Sequence, residues 1–198
     1  MNTEIHKLLP ELAEDYVRFF DFTPHNLENH TKCYCVCWCS GDSEGKDFSS
    51  PEKRREYALQ YVRNKNLQGY LAYHNDIVVG WCNANTKSDC LKCGGWRHCM
   101  GSVPIDDALL KIKSVFCFTI APEMQRQGIA AQLLARVCQD AAEDGFDFVE
   151  AYPDKESAAG SDNFAGHADM YKKNGFIVHH ETNRLLIMRK QLKHQCTV

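Results

Sequence analysis

The sequence lacks the long apolar run that a membrane-spanning helix requires. No stretch approaches the roughly 20 consecutive apolar residues that cross a bilayer. Residues 1–7 also lack the apolar segment that is typical of a signal peptide. We therefore expect no membrane partner and a cytoplasmic location.

Clusters of basic residues are missing as well. The chain has 23 Lys and Arg against 26 Asp and Glu, and its formal net charge is -3. Nucleic-acid binding depends on grouped Lys and Arg side chains that neutralise phosphates. The composition therefore predicts no nucleic-acid partner, and the mildly basic stretch 189–194 is expected to be a solvated tail.

Cysteine, in contrast, is abundant. The chain contains 11 cysteines. Of its 198 residues, 44% are hydrophobic. This length fits a single domain over residues 1–198. In the cytosol these thiols are expected to stay reduced, and the odd count agrees with that.

Helical and strand patterns alternate along the chain. The spacing of apolar residues predicts four helices, over 10–20, from Ser50 onward, from 129 to 144 and over 162–174. It predicts seven strands, over 32–38, 69–74, 77–84, 109–120, 146–152, 176–180 and 184–189. Ser50 and Pro51 are expected to start a helix, and Asn75-Asp76 to turn a hairpin. The predicted class is α/β or α+β, with a core over 69–190 and a cysteine-rich, irregular insertion at about 86–107.

The most informative stretch is Gln125-Arg126-Gln127-Gly128-Ile129-Ala130. It follows an apolar strand and precedes a helical pattern. Such a turn directs backbone N–H groups toward a phosphate, although Gly128 on its own is also compatible with a role in helix packing.

Three elements in order extend this pattern: Ile120-x-Pro122, then Gln125-x-x-Gly128-x-Ala130, then Tyr171-x-x-x-Gly175-Phe176. Together they resemble the GNAT superfamily of N-acetyltransferases, most strongly over 113–190. The resemblance implies a mixed, mostly antiparallel central sheet flanked by helices. It also implies acetyl-CoA or another acyl-CoA as co-substrate, with no metal.

The resemblance assigns cofactor contacts residue by residue. Backbone groups of Phe118, Thr119 and Ile120 would hold the pantetheine arm, Gln125, Arg126, Gln127, Gly128, Ile129 and Ala130 would hold the diphosphate, and Asn163 would contact CoA. The helix N-terminus offers unpaired N–H groups and a positive dipole end, and Arg126 adds charge. Asn163 lies one residue further from Tyr171 than in the commonest family spacing.

Acetyl transfer to an amine needs a proton donor for the departing thiolate and a route for the amine proton. The resemblance assigns the first role to Tyr171, which is otherwise an aromatic core residue. A backbone N–H at Ile120 or a neighbour would stabilise the thioester oxygen. Glu150 is the candidate base, and the alternatives are a solvent-facing or ion-paired Glu150, a water relay, or no base. His167 is either a proton relay on the Tyr171 helix face or a surface histidine.

The cysteines form two groups. Cys33, Cys35, Cys37 and Cys39 alternate, so on a strand their thiols would share one face as small apolar groups, about 6.6 Å apart and too splayed for zinc. Cys90-x-x-Cys93 with His98-Cys99 permits a zinc site, but incidental or redox-reactive thiols in a loop beside the acceptor site are favoured.

The resemblance predicts an N-acetyltransferase that acts on a primary amine by direct attack in a ternary complex. A small-molecule amine is the expected acceptor, and a protein N-terminus or lysine is the alternative. A non-catalytic acyl-CoA sensor and a thiol- or metal-sensing module are the rivals from other classes, and a homodimer is left open.

Overall fold

One sheet organises the chain in the computed structural model, which describes residues 3–23, 32–105, 109–155 and 164–192. Within these ranges the strands are β1 Glu4–Lys7, β2 Gly69–His74, β3 Ile77–Thr86, β4 Ile112–Ile120, β5 Phe148–Ala151, β6 Ile177–Glu181 and β7 Leu186–Gln191. Their order across the sheet is β1-β2-β3-β4-β5-β7-β6, and every neighbouring pair is antiparallel except β4 and β5. The predicted class and sheet type are therefore confirmed.

Six α-helices accompany the sheet in the described ranges: α1 Ala13–Phe22, α2 Pro51–Arg63, α3 Lys87–Cys90, α4 Gly94–Cys99, α5 Ile129–Glu143 and α6 Ala168–Lys173. Ser50 caps α2 as predicted, because its side chain accepts a hydrogen bond from the Lys53 N–H. None of the helices in this part of the chain is long and apolar enough to cross a membrane.

The two faces of the sheet carry different helices. On one face the ring of Tyr16 in α1 packs against Trp81 of β3, with centroids 4.8 Å apart. The neighbouring residue Gly80 points to the opposite face, where Ile129 of α5 approaches it. We refer to these as the α1 face and the α5 face.

Strands β4 and β5 separate part of the way along their length. They pair in parallel from Ile112–Phe148 to Val115–Ala151, after which β5 ends and β4 continues to Ile120. The register of β3 against β4 shifts between Asn83 and Ala84, which leaves Phe116 as the unpaired residue of a bulge. The open edge of β4 beyond Val115 is named the cleft below.

Several predicted elements are confirmed, with shifted ends. The hairpin of β2 and β3 turns at Asn75 and Asp76, which both adopt the positive φ angles that such a turn needs. The irregular insertion contains α3 and α4, and α6 starts at Ala168 instead of 162, a position outside the described residues. Edge strand β1 was not predicted, because its sequence Glu-Ile-His-Lys is too short and polar to show an alternating pattern.

The predicted strand over 32–38 is wrong. The segment forms turns, with φ of 50° at Tyr34 and 49° at Cys35. Tertiary contacts hold this backbone: the Tyr16 hydroxyl donates to the Tyr34 carbonyl at 2.7 Å, and the Trp81 indole N–H lies 3.3 Å from the Cys35 sulfur.

The four alternating thiols of this segment therefore do not share a face. Cys35 and Cys39 are buried, as expected for small core groups, whereas Cys33 is half-buried and Cys37 is exposed.

Candidate active site

The glycine turn between β4 and α5 owes its glycine to backbone conformation. Gly128 has a φ of +81°, and a Cβ placed there would meet no atom of the described residues within 4 Å. Packing against a neighbour is therefore not the reason for this glycine. Arg126 is also left-handed, with φ of 60°. When left-handed residues alternate with others at the beginning of a helix, successive N–H groups point into one concavity. This geometry binds anions.

The side chains of this turn are arranged around the backbone. The Gln125 amide donates to the Ile120 carbonyl at 3.3 Å, and the Gln127 amide donates to the Glu123 carbonyl at 3.0 Å. Arg126 is exposed, Ile129 is buried and Ala130 is half-buried. The turn is thus braced from within while its guanidinium faces solvent, where a phosphate group can reach it.

The cleft edge of β4 carries backbone groups that β5 does not pair. The Phe118 N–H points across the cleft and donates to the Phe164 carbonyl at 2.7 Å. Thr119 is buried, and its hydroxyl lies 3.8 Å from the Cys117 sulfur. Phe118 therefore presents the kind of strand N–H that was expected to contact a pantetheine arm or a thioester oxygen.

Tyr171 lies in α6, fully buried beside this edge. Its ring packs against Phe118 and Phe176, with centroids 6.5 Å and 5.3 Å away. Its hydroxyl donates to the Ala165 carbonyl at 2.6 Å. Burial raises the pKa of Tyr171 well above its usual value, so the hydroxyl keeps its proton at neutral pH.

Residues Phe164, Ala165 and Gly166, named the Phe164 segment, engage both chemical groups of the cleft. One carbonyl accepts from the Phe118 N–H and the next accepts from the Tyr171 hydroxyl. Gly166 has a φ of +80°, and a Cβ there would lie 2.9 Å from Met170 and 3.3 Å from the Tyr171 hydroxyl. The segment therefore fits tightly over the tyrosine and against the edge of β4.

Glu150 is ion-paired, which was one of the alternatives that the sequence left open. It is fully buried on β5, and its two carboxylate oxygens bond to Lys87 Nζ at 2.6 Å and to Arg189 Nε. Because each carboxylate oxygen already bonds to a cation, neither is directed at an acceptor amine. The geometry therefore argues against Glu150 as the base.

An aromatic stack lies beside Glu150 where β4 and β5 separate. Phe116 is sandwiched between Trp38, at 4.7 Å, and Tyr152, at 5.6 Å, and the Trp96 ring meets Phe116 and Tyr152 edge-on. The Tyr152 hydroxyl lies 2.7 Å from the Ser114 hydroxyl. We name Trp38, Phe116, Tyr152 and Trp96 the aromatic stack.

Sequence reasoning missed Lys87, Arg189 and this stack. Arg189 follows an apolar run and was expected to begin a solvated tail, but it is buried in β7 and is the register partner of Glu150. Lys87 gave no signal, since it directly follows β3 in a polar stretch. Among the other predicted residues, Asn163 lies outside the described residues. His167 precedes the first residue of α6, so the shared helix face with Tyr171 is not formed.

The thiols of the insertion are mostly enclosed. Cys90 and Cys93 are buried and Cys99 is exposed. The Cys93 sulfur accepts the Trp96 N–H at 3.4 Å, and burial raises the pKa of both buried thiols. Across the described ranges, no three His, Cys, Asp or Glu side chains come together as a metal site.

These features define a class: an α/β protein with a phosphate-type turn beside a cleft in its sheet. Comparison with known families agrees, since the profile of the acetyltransferase (GNAT) family matches residues 36–176, more than half of the chain. The chain therefore belongs to the acetyltransferase (GNAT) family, whose members use acetyl-CoA as co-substrate.

Solved structures share the fold. The PaiA N-acetyltransferase from Thermoplasma acidophilum, in complex with coenzyme A, is 15% identical with a TM-score of 0.56, covering 96% of this chain and 99% of that one. The yncA protein of Salmonella typhimurium, with acetyl-CoA, is 15% identical with a TM-score of 0.55, covering 98% and 95%. The NatC complex, bound to Gag peptide and CoA, gives 12% identity, a TM-score of 0.54, and coverage of 98% and 100%. No curated protein matches the sequence.

Proposed function

We propose that the chain is an N-acetyltransferase that moves the acetyl group of acetyl-CoA to a primary amine within a ternary complex. The observation that carries the proposal is the turn at Gly128. Its left-handed backbone opens α5 beside an unpaired strand edge, and the helix N-terminus there suits a diphosphate. Solved relatives of the same fold hold CoA or acetyl-CoA.

The cofactor contacts follow from this geometry. The N–H groups from Gln125 to Ala130 and the Arg126 guanidinium hold the diphosphate, and Phe118 to Ile120 line the pantetheine arm. The Phe118 N–H already donates a hydrogen bond to the Phe164 carbonyl, so CoA has to displace the Phe164 segment. The same displacement frees the Tyr171 hydroxyl from Ala165.

Tyr171 then serves as the acid. The amine nitrogen bonds to the acetyl carbon, the carbon–sulfur bond breaks, and the departing thiolate takes the Tyr171 proton. A second N–H on the same edge of β4, at Ile120, stabilises the thioester oxygen as it gains charge. The amine proton passes to water, because both oxygens of Glu150 are already bonded to cations. Water then returns a proton to the Tyr171 phenolate, which restores the acid for the next turnover.

The acceptor approaches from the α1 face, since α5 and its turn cover the other face. A cavity of about 380 Å³ lies on the α1 side between α1 and the end of β4, and Asp15, Asp76 and Glu123 are among its lining residues. The cavity lies past the end of β4, is lined by Arg18 as well, and has neither Phe118 nor Tyr171 among its lining residues. A small-molecule amine is the proposed acceptor, and a protein lysine or N-terminus is the alternative.

The test is a panel of small amines, peptides with free N-termini and lysine peptides, each incubated with acetyl-CoA. Acetylated product and free CoA are quantified by chromatography with mass detection, since exposed Cys37 and Cys99 would react with thiol dyes. The proposal predicts equal amounts of product and CoA for at least one small amine. Binding of acetyl-CoA without turnover on any member would favour the acyl-CoA sensor instead.

A further inference from the structure

A row of buried polar residues crosses the sheet under the insertion. Asn85 of β3, Ser114 of β4, Glu150 of β5 and Arg189 of β7 are successive register partners. Each of them is buried, with 6% exposure at most. A continuous polar row inside a sheet is unfavourable unless its members satisfy one another, so this row needs an explanation.

Lys87 adds a second cation to this row. It is the first residue of α3, it is 5% exposed, and its ammonium bonds to Glu150 at 2.6 Å and to the Pro104 carbonyl at 3.3 Å. Glu150 is therefore shared by Lys87 and Arg189. Removing charged groups from water is costly, so burying Lys87 beside this pair need not stabilise the fold. Its position therefore suggests a further role.

The polar row also holds the aromatic stack. The Lys87 ammonium lies 5.6 Å from the Trp96 ring centroid, and the Ser114 hydroxyl bonds to Tyr152. At the far end of the stack, the Trp38 carbonyl accepts from the Asn83 side-chain amide at 2.8 Å. Lys87 thus touches both the ion pair below the stack and the tryptophan at its edge.

The stack lies at the mouth of the cleft. Val115–Ala151 is the last pair of β4 and β5, and Phe116 and Tyr152 are the next residues on the two strands. Both rings stand with Trp38 on the α1 face, from which the acceptor approaches in the proposed reaction. The surface that meets the amine is therefore built from rings that the polar row fixes.

We propose that Lys87 is a positioning residue for acyl transfer, which holds Glu150 and Trp96 so that the aromatic stack is ordered beside the acceptor amine. This inference rests on the proposed function. Lys87 acts through the stack and touches neither substrate. Its loss should therefore weaken use of the acceptor while leaving CoA binding intact.

The variant Lys87→Met keeps the length of the side chain and leaves a neutral Glu150–Arg189 pair, so the fold is expected to persist. The matched control is Lys113→Met. Lys113 is also buried, at 4% exposure, but its ammonium contacts Gln68 and the Phe146 ring and none of the stack. Ser114→Ala is a second variant that loosens Tyr152 without disturbing any ion pair.

The readouts at pH 7.5 are kcat/KM for the acceptor, the Kd for CoA and the near-UV circular dichroism of the tryptophans. We expect Lys87→Met and Ser114→Ala each to lower acceptor kcat/KM at least tenfold, with CoA Kd within twofold of wild type, and Lys113→Met to leave acceptor kcat/KM within twofold. An unchanged acceptor kcat/KM in Lys87→Met, or a CoA Kd that weakens by the same factor, would overturn the inference. If instead the wild type acetylates no amine, it is the proposed function that fails.

Discussion

At the scale of single residues, Gly128 is the position where conformation and cofactor binding coincide. Substituting Ala there forces a side chain into the left-handed region, which costs about 1–2 kcal/mol. The backbone of the turn should change conformation, so that its N–H groups no longer point to one site. We expect Gly128→Ala to weaken CoA binding at least tenfold in isothermal titration calorimetry.

Gly145 provides the control for that change. It ends the α5 region with a φ of +73° and, like Gly128, has nothing within 4 Å of an added Cβ. Gly145→Ala should lower stability by a similar amount and leave the CoA Kd unchanged. Equal weakening of CoA binding in both variants would show that strain alone, and not the turn, is responsible.

Tyr171 is the residue on which the proposed chemical step depends. Removing its hydroxyl takes away the proton for the departing thiolate, so Tyr171→Phe should lower kcat by roughly 10²-fold or more with little change in CoA affinity. Burial raises the pKa of Tyr171 well above its usual value, so kcat of the wild type should show no loss of the acid form between pH 7 and 9.

Tyr61→Phe is the matched control, because the buried Tyr61 hydroxyl has no hydrogen-bond partner among the described residues. Its removal should leave kcat unchanged and the melting temperature equal or higher. If Tyr171→Phe turns over at the wild-type rate, the tyrosine is a core aromatic residue and nothing more.

Lys113 should make stability depend on pH. Burial lowers its pKa from 10.5 to about 8, so between these values the folded state binds fewer protons than the unfolded state. Stability from this group therefore rises with pH across that window, by about 3 kcal/mol in total. Denaturant unfolding of wild type and Lys113→Met should be measured from pH 7.5 to 9.5. The free energy of unfolding should rise with pH more for the wild type than for the variant, and a constant difference between them would contradict the assignment.

At the scale of elements, the proposed function requires the Phe164 segment to control entry to the cleft. Because the segment must leave before CoA contacts Phe118, the observed binding rate in stopped flow should level off at high CoA concentration. Gly166→Ala strains the closed segment by about 1–2 kcal/mol and should raise the plateau rate roughly 5- to 30-fold.

Gly175→Ala is the comparison. Gly175 has a φ of +83° at the other end of α6, and among the described residues an added Cβ there meets only Lys190, at 3.8 Å. It should leave the plateau unchanged. A binding rate that rises linearly to the highest concentration would mean that the segment does not limit access.

The elements that sequence reasoning predicted well are those with local signals. The Ser50 cap, the Asn75-Asp76 turn and the Gly128 turn each depend on the conformation of a few adjacent residues. The segment at 32–38 failed because its alternating pattern was read as a strand, whereas hydrogen bonds from Tyr16 and Trp81 hold it in turns. Contacts between distant residues decide such segments, and one sequence does not show them.

At the scale of the whole molecule, one part of the candidate site has a local sequence signal and the other part depends on contacts between distant residues. The cofactor side follows a contiguous motif, so the turn and Tyr171 were named from sequence. Strand register and the insertion bring together the residues of the proposed acceptor side, which are Trp38, Lys87, Trp96, Phe116, Glu150, Tyr152 and Arg189. The single domain and the homodimer that the sequence suggested stay predictions.

The central claim is that the cleft beside Phe118 receives acyl-CoA, and a crystal structure with bound CoA tests it most directly. The account predicts the diphosphate at the Gly128 turn, the pantetheine arm on the Phe118 N–H and the Phe164 segment displaced, with the CoA sulfur beside the Tyr171 hydroxyl. CoA bound elsewhere, with the Phe164 carbonyl still on Phe118, would contradict it.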